Sequence, residues 1–257
     1  MSLPRVVAAE TLDGLAENDP SAMRSRRDLQ RIHRLMGTRT IVGRSLRKLA
    51  ASHDESRPLR MLELGAGDGS LMLGVARASG RDGPAVEFTL LDRQSLVTKA
   101  TLASYAELNW SATAQVADVS DWAASRGSSR GGIGAAPWDL IVCNLFLHHF
   151  EGGELHSLLA AIASRCGQFF ACEPHRGWLS LAASHLVGAI GANAVTRQDA
   201  VLSVHAGFRD AELSQAWPAS GAGWTLDEYP DGLFSHCFFA RRREPASFDR
   251  PCHENQF

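Results

Sequence analysis

The sequence contains five cysteines, Cys143, Cys166, Cys172, Cys237 and Cys252, and no two of them form a C-x-x-C pair. An odd number at such spacings indicates neither a zinc knuckle nor a complete disulfide framework, so a reducing, cytoplasmic setting is expected. Charge of one sign is also lacking: the formal net charge is −2. No global field draws the chain to phosphate backbones or anionic lipid, and no nucleic-acid partner is expected. The most apolar stretch, residues 178–195, is interrupted by Ser180, Ser184, His185, Gly188, Gly191 and Asn193. It is therefore unsuited to crossing roughly 30 Å of hydrocarbon, and no membrane span is expected. The opening residues MSLPRVVAAETL lack the basic start and sustained apolar run of a secretory signal, so export is not expected either.

What is present suits one α/β domain with appendages: 257 residues, 45 % hydrophobic and 21 % charged, enough to fill a core and keep the surface wet. Residues 1 to about 20 show no clear period and end in the breaker pair Asp19-Pro20, which reads as a loose arm. Leu29, Ile32, Leu35 and Met36, then Ile41, Val42, Leu46 and Leu49, recur at helical spacing between arginines. Two amphipathic helices, or one interrupted near Gly37, are predicted, with the arginines on a solvated face. A polar linker from His53 to Pro58 closes this N-terminal cap, residues 1–58.

From Leu59 the pattern changes to short apolar runs separated by helical stretches, the signature of a mostly parallel sheet. Strands are predicted at 59–64, 86–91, 114–117, 140–144, 168–172, 224–229 and 234–240, and helices at 70–78, 95–108, 153–165 and 178–190. Only Pro230-Asp231-Gly232 divides the last two strands, so they should form an antiparallel hairpin at a sheet edge. The predicted fold is α/β: a Rossmann-like, seven-stranded, mostly parallel sheet with an antiparallel edge hairpin, plus N-terminal helices. This domain spans residues 59–243 with a substrate-side helical insertion near 178–216, and a tail occupies 244–257. Residues 124–137, rich in Gly, Ser and Arg, read as an exposed loop.

Three glycines, Gly65, Gly67 and Gly69, stand where the first strand passes into a helix. Lacking Cβ atoms, they permit a tight turn and let a ligand touch backbone, while the helix start offers unpaired N–H groups. A dinucleotide site would use the same turn. Asp92 ends the second strand, where a carboxylate can accept hydrogen bonds from both hydroxyls of a ribose. Asp118 ends the third, where it can accept from an adenine amino group or instead cap the helix opened by Ser120-Asp121-Trp122. Phosphate binding gives no reason for that second acid. No Tyr-x-x-x-Lys pair or other hydride-site signature accompanies the turn.

These motifs, in this order, resemble the class I methyltransferases that use S-adenosylmethionine. The glycine motif is Glu63-Leu-Gly-Ala-Gly-Asp-Gly69, the ribose acid Asp92 and the adenine acid Asp118. The fourth-strand motif is Trp138-Asp-Leu-Ile-Val-Cys-Asn-Leu-Phe-Leu-His-His-Phe150. The resemblance covers roughly residues 59–175. It implies S-adenosyl-L-methionine as cofactor, held by Glu63, Gly65, Ala66, Gly67, Asp92, Arg93, Asp118, Val119 and Asn144; because a sulfonium methyl is already electrophilic, transfer requires no metal and none is expected. The segments 170–177 and 192–208 resemble a bacterial branch associated with polyketide and phenolic-lipid pathways. That narrower likeness implies a small, phenolic or polyketide-like acceptor, methylated on a hydroxyl, with carbon methylation or noncatalytic nucleoside binding as alternatives. Asn144-Leu-Phe-Leu is not the Asn/Asp-Pro-Pro-Tyr/Phe run of adenine and glutamine methylators.

His148 and His149 follow the fourth strand close to where the resemblance places the methyl group. They are the expected catalytic pair, one as general base and the other as a structural donor. Phe146, Glu173, Arg176 and Arg197 are expected on the acceptor side. His236, within an apolar strand, is expected to be structural. The N-terminal helices and the insertion should fold over the strand ends, so that removing residues 1–50 would abolish acceptor turnover and spare nucleoside binding. A homodimer is compatible with the sequence.

Overall fold

The computed structural model describes residues 3–50, 53, 56–80, 83–125, 138–218 and 223–243. Among the described residues, seven strands form one sheet: β1 Leu59–Leu64, β2 Val86–Asp92, β3 Trp110–Val116, β4 Trp138–Asn144, β5 Cys166–Pro174, β6 Trp224–Asp231 and β7 Ser235–Arg242. Their order is β3-β2-β1-β4-β5-β7-β6. The first five run parallel, and β7 pairs antiparallel with both β5 and β6. Strands buried on both faces read as unbroken apolar runs, which is why β1 and β4 are plain in the sequence. Edge strand β3 is not: of its seven residues only Trp110 is buried, so the sequence pattern captured only its end.

The crossover helices are α4 Ser70–Ser79, α5 Lys99–Ala106, α6 Val119–Ala124 and α7 Gly152–Arg165. They divide the core into two layers. One face of the sheet packs Leu62, Leu64, Ile141 and Phe169 against Leu155, Leu159 and Ile162 of α7. The other packs Met61, Phe88, Val142 and Phe170 against Met72 and Val75 of α4 and against Ile41, Val42 and Leu46. Strand order reverses between β1 and β4, so the chain diverges there and leaves a crevice at the strands' carboxyl ends.

The N-terminal helices are α1 Thr11–Gly14, α2 Pro20–Met36 and α3 Thr38–Ala50. Asp19 caps α2 through the N–H groups of Ser21 and Ala22, and Gly37, at φ 70°, ends it. The arm read as loose from its lack of period is fixed in place. The Arg5 guanidinium donates to the carbonyls of Ala206 and Phe150, Val6 N–H donates to His205 O, and the Asp199 carboxylate accepts the N–H groups of both Thr11 and Leu12 at 2.9 Å. The period is missing because these contacts are polar and run through the backbone. In the insertion, α8 Trp178–Leu186 is followed by a 3-10 turn, then α9 Ala194–Ala206 and α10 Glu212–Ala216. Of these, α9 meets both the arm and α2. Among the described residues no helix is long and apolar enough to cross a membrane. The Gly/Ser/Arg loop from residue 126 and the tail lie outside the described residues.

Candidate active site

A cavity of about 780 Å³ occupies the crevice, within the usual size range of small-molecule sites. The glycine turn forms its floor. Gly65 and Gly67 have φ values of 69° and 56°, a left-handed conformation that L side chains adopt only with strain. A Cβ on Gly65 would also lie 2.4 Å from the Phe146 ring, whereas one on Gly67 would meet nothing within 4 Å. Gly67 therefore presents bare backbone to the cavity.

Two further strand ends complete this side. Asp92, closing β2, accepts Gly67 N–H at 2.8 Å and Gln94 N–H at 2.9 Å. Asp118 caps α6 by accepting Ser120 N–H at 2.7 Å, so its capping and cavity-lining roles coexist. Glu63, Gly65, Ala66, Gly67, Asp92, Arg93, Asp118, Val119 and Asn144 all line the one cavity. The Arg93 guanidinium is engaged by Asp13, 3.4 Å from its Oδ1. Two side-chain oxygens here are buried with no partner among the described residues: Glu63 Oε2 and Asn144 Oδ1. Burial, then the nearby Asp92 and Asp68 charges, raises the Glu63 carboxyl well above its ordinary value. An unpartnered buried acceptor pair beside bare backbone suits a ligand carrying ammonium or other donors.

The opposite end is built by the turn after β4. Leu145 sits at φ 49°, a strained position for a leucine, and turns the chain into the 3-10 segment Leu147–His149. Glu173, from β5, is fully buried beneath it and accepts the N–H groups of Phe146, Leu147 and His148 as well as approaching His148 Nδ1 at 2.8 Å. The other imidazole nitrogen, Nε2, lies 3.3 Å from Glu10 Oε1, contributed by the arm. Burial disfavours a charged His148, yet the two carboxylates prevail and raise it to about 9. Glu10 and Glu173 are in turn held below the usual carboxylate range, since His148 outweighs their own burial. The His149 ring lies close by, tilted 33° to that of His148 with 4.2 Å between ring centroids. Burial first, and the His148 charge second, lower it below its ordinary value. Its Nδ1 is 3.5 Å from Asp13 Oδ2.

Of the residues expected on the acceptor side, Phe146 lines the cavity and packs edge-on against Phe150. Glu173, Arg176 and Arg197 do not line it. Glu173 is occupied in shaping the turn, and the buried Arg176 holds Gly207 O, Leu3 O and Glu212. Arg197, on α9, packs under Gly188. His236 is buried with Nε2 2.8 Å from Glu228 Oε1. Sequence reasoning missed Glu10, Asp13, Gln30, His33 and Ser203, which line the cavity from the arm, α2 and α9. Nothing local marks them: Glu10 is 138 residues from His148.

No family model and no curated protein matches the sequence. Solved structures do match. The plantazolicin methyltransferase BamL, in complex with a triazolic desmethylPZN analog and SAH, is 11 % identical with a TM-score of 0.61, over 91 % of this chain and 94 % of that one. The plantazolicin methyltransferase BpumL, in complex with SAH, is 13 % identical with a TM-score of 0.60, over 88 % and 92 %. The N,N-8-amino-8-demethyl-D-riboflavin dimethyltransferase RosA from Streptomyces davawensis is 16 % identical with a TM-score of 0.54, over 91 % and 62 %. At such identities the likeness is one of backbone, and the chain has the Rossmann-like fold of the class I methyltransferases.

Proposed function

We propose that this protein is an S-adenosylmethionine-dependent methyltransferase acting on a hydroxyl of a small phenolic or polyketide-like molecule. One observation carries the reading: a single cavity joins the glycine turn, Asp92 and Asp118 at one end to a histidine pair at the other. The matched BamL and BpumL structures contain SAH, which supports the same occupant for this fold. When bound, the cofactor supplies an electrophilic sulfonium methyl, whose bond to sulfur breaks as the bond to the acceptor oxygen forms.

The chain's residues do the rest. Gly67 admits close approach, Asp92 and Asp118 are placed to accept from ribose and adenine, and Glu63 and Asn144 offer their unpartnered oxygens to an amino acid head. The arm residues Val7, Ala8 and Ala9 form part of the wall and limit water. Phe146 and Phe150 present aromatic faces to a planar acceptor. His148 is protonated and engaged at both nitrogens, so it positions and cannot accept a proton. His149 is neutral, cavity-lining and beside Asp13, and takes the acceptor's proton. Calorimetry with S-adenosylhomocysteine, followed by methyl transfer to a panel of phenols, tests the proposal. Absence of nucleoside binding would end it.

A further inference from the structure

We infer that Glu10, His148 and His149 form a site for a divalent transition-metal ion of the zinc class at the acceptor end of the cavity. One ligand atom from each residue, two imidazole nitrogens and a carboxylate oxygen, lies within 4.8 Å of the other two. The 3.3 Å between His148 Nε2 and Glu10 Oε1 matches the roughly 3.3 Å that separates two ligands at ~2.0 Å from a tetrahedral ion. Two imidazoles and a carboxylate suit zinc, cobalt, iron or manganese rather than magnesium or calcium, whose ligands are all oxygen.

A second, independent feature points the same way. A metal-bound histidine almost always donates its other ring N–H to a carboxylate, which fixes the tautomer and turns the free nitrogen to the ion. Glu173 fills that role for His148, 2.8 Å from Nδ1 and fully buried. It is itself held by three backbone N–H groups, so His148 Nε2 is aimed toward Glu10 by rigid elements. Charge agrees with geometry. Glu10, Asp13 and Glu173 bring three carboxylates to the pair, a charge balance that a cation completes. Three protein ligands leave a coordination position open to the cavity, as in catalytic rather than structural sites.

Binding of the ion does not depend on the methyl-transfer reading; what the ion does there rests on it. In the metal-loaded protein a hydroxyl acceptor is polarised by the ion and His149 is a ligand. In the metal-free protein His149 is the base. The site escaped sequence reading, which expected no metal, because its carboxylate arrives on the arm.

The test uses the full chain stripped with a chelator, titrated with Zn²⁺ by calorimetry and with Co²⁺ by visible absorption. One ion per chain at micromolar Kd or tighter is expected, with ligand-field bands from Co²⁺. Glu10→Gln and His149→Ala should each weaken binding by roughly 100-fold or more, and Glu173→Gln by about 10- to 100-fold. Calorimetry with S-adenosylhomocysteine on every variant reports that the fold and nucleoside site persist. No saturable binding up to about 1 mM, or binding that all three variants leave unchanged, overturns the metal site. Failure of the stripped wild type to bind S-adenosylhomocysteine would instead overturn the methyl-transfer reading and leave the metal result standing.

Discussion

His148 and His149 are chemically alike and adjacent, and their surroundings drive their proton affinities apart. His148 has a carboxylate at each nitrogen, whereas His149 has burial and a neighbouring positive charge working against protonation. Divergent pKa values in one site assign roles. In metal-free enzyme, His149→Ala should lower turnover of a phenol by about 10²–10⁴-fold, with donor binding nearly intact. Part of that loss should return at high pH, where a phenol of pKa ~10 ionises unaided; a flat pH profile for the variant would exclude His149 as the base. Glu63 provides a second prediction. Burial raises its proton affinity well above the ordinary carboxylate value, and an incoming ammonium favours the ionised form. Binding of S-adenosylhomocysteine should therefore release a proton and tighten as pH rises toward the raised pKa. Calorimetry in buffers of different ionisation enthalpy measures it, and equal heats would mean that no proton leaves Glu63 on binding. Asp92→Ala should weaken the same ligand by about 1–3 kcal/mol. That variant also frees Gly67 N–H and Gln94 N–H, so Asp92→Asn, which keeps an acceptor, separates ligand contact from turn support.

At the scale of elements the arm and α3 differ in kind, although both belong to the N-terminal cap read from sequence. Ile41, Val42 and Leu46 are buried beside Met61 and Phe170, each contributing about 1.5–3 kcal/mol. Against a total stability of about 5–15 kcal/mol, deleting residues 1–50 should unfold the domain, not spare nucleoside binding. Deleting residues 1–14 is the informative truncation. It removes Glu10, Asp13 and a cavity wall, and should abolish acceptor turnover while leaving S-adenosylhomocysteine bound. Asp199→Ala offers a milder cut, since one carboxylate holds Thr11 and Leu12 N–H. Hydrogen bonds to a charged group contribute about 1.5–3 kcal/mol, so amide exchange at those two positions should accelerate by about 10–100-fold. Exchange as slow as in the wild type would mean that other contacts hold the arm. The contrast also explains what the sequence could disclose. β1, β4 and the glycine turn announce themselves because apolar runs and glycine spacing are local signals. β3 is obscured by exposure, and Glu10 and Asp199 by the distance along the chain between partners.

Across the whole molecule, the Glu10-His148-Glu173 chain ties the arm, the turn after β4 and β5 into one unit whose strength depends on pH. The sign follows from the two directions of shift. His148 is raised to about 9 from an ordinary 6.5, so its contribution to stability is fully present below ~6.5 and is lost as pH rises through about 9. Glu10 and Glu173 are lowered, so their contribution is present above the ordinary carboxylate pKa of ~4.3 and is lost as pH falls below it. All three contributions coexist between about pH 4.5 and 6.5. Glu63 runs the other way: raised by burial, it favours the folded state most at low pH, and this would blur a simple scan of the wild type. A difference measurement removes that background. Thermal unfolding of metal-stripped wild type and of His148→Gln, which cannot protonate, should be followed from pH 5 to pH 10. The wild type should be the more stable by a constant margin up to about pH 6.5, and that margin should shrink progressively toward pH 9 and beyond. Arm amides should lose protection over the same interval in the wild type and not in the variant. A margin that stays level from pH 6 to pH 10 would mean that His148 is neutral in the folded chain, and the ion pairs that hold the arm over the cavity would have to be replaced by neutral hydrogen bonds.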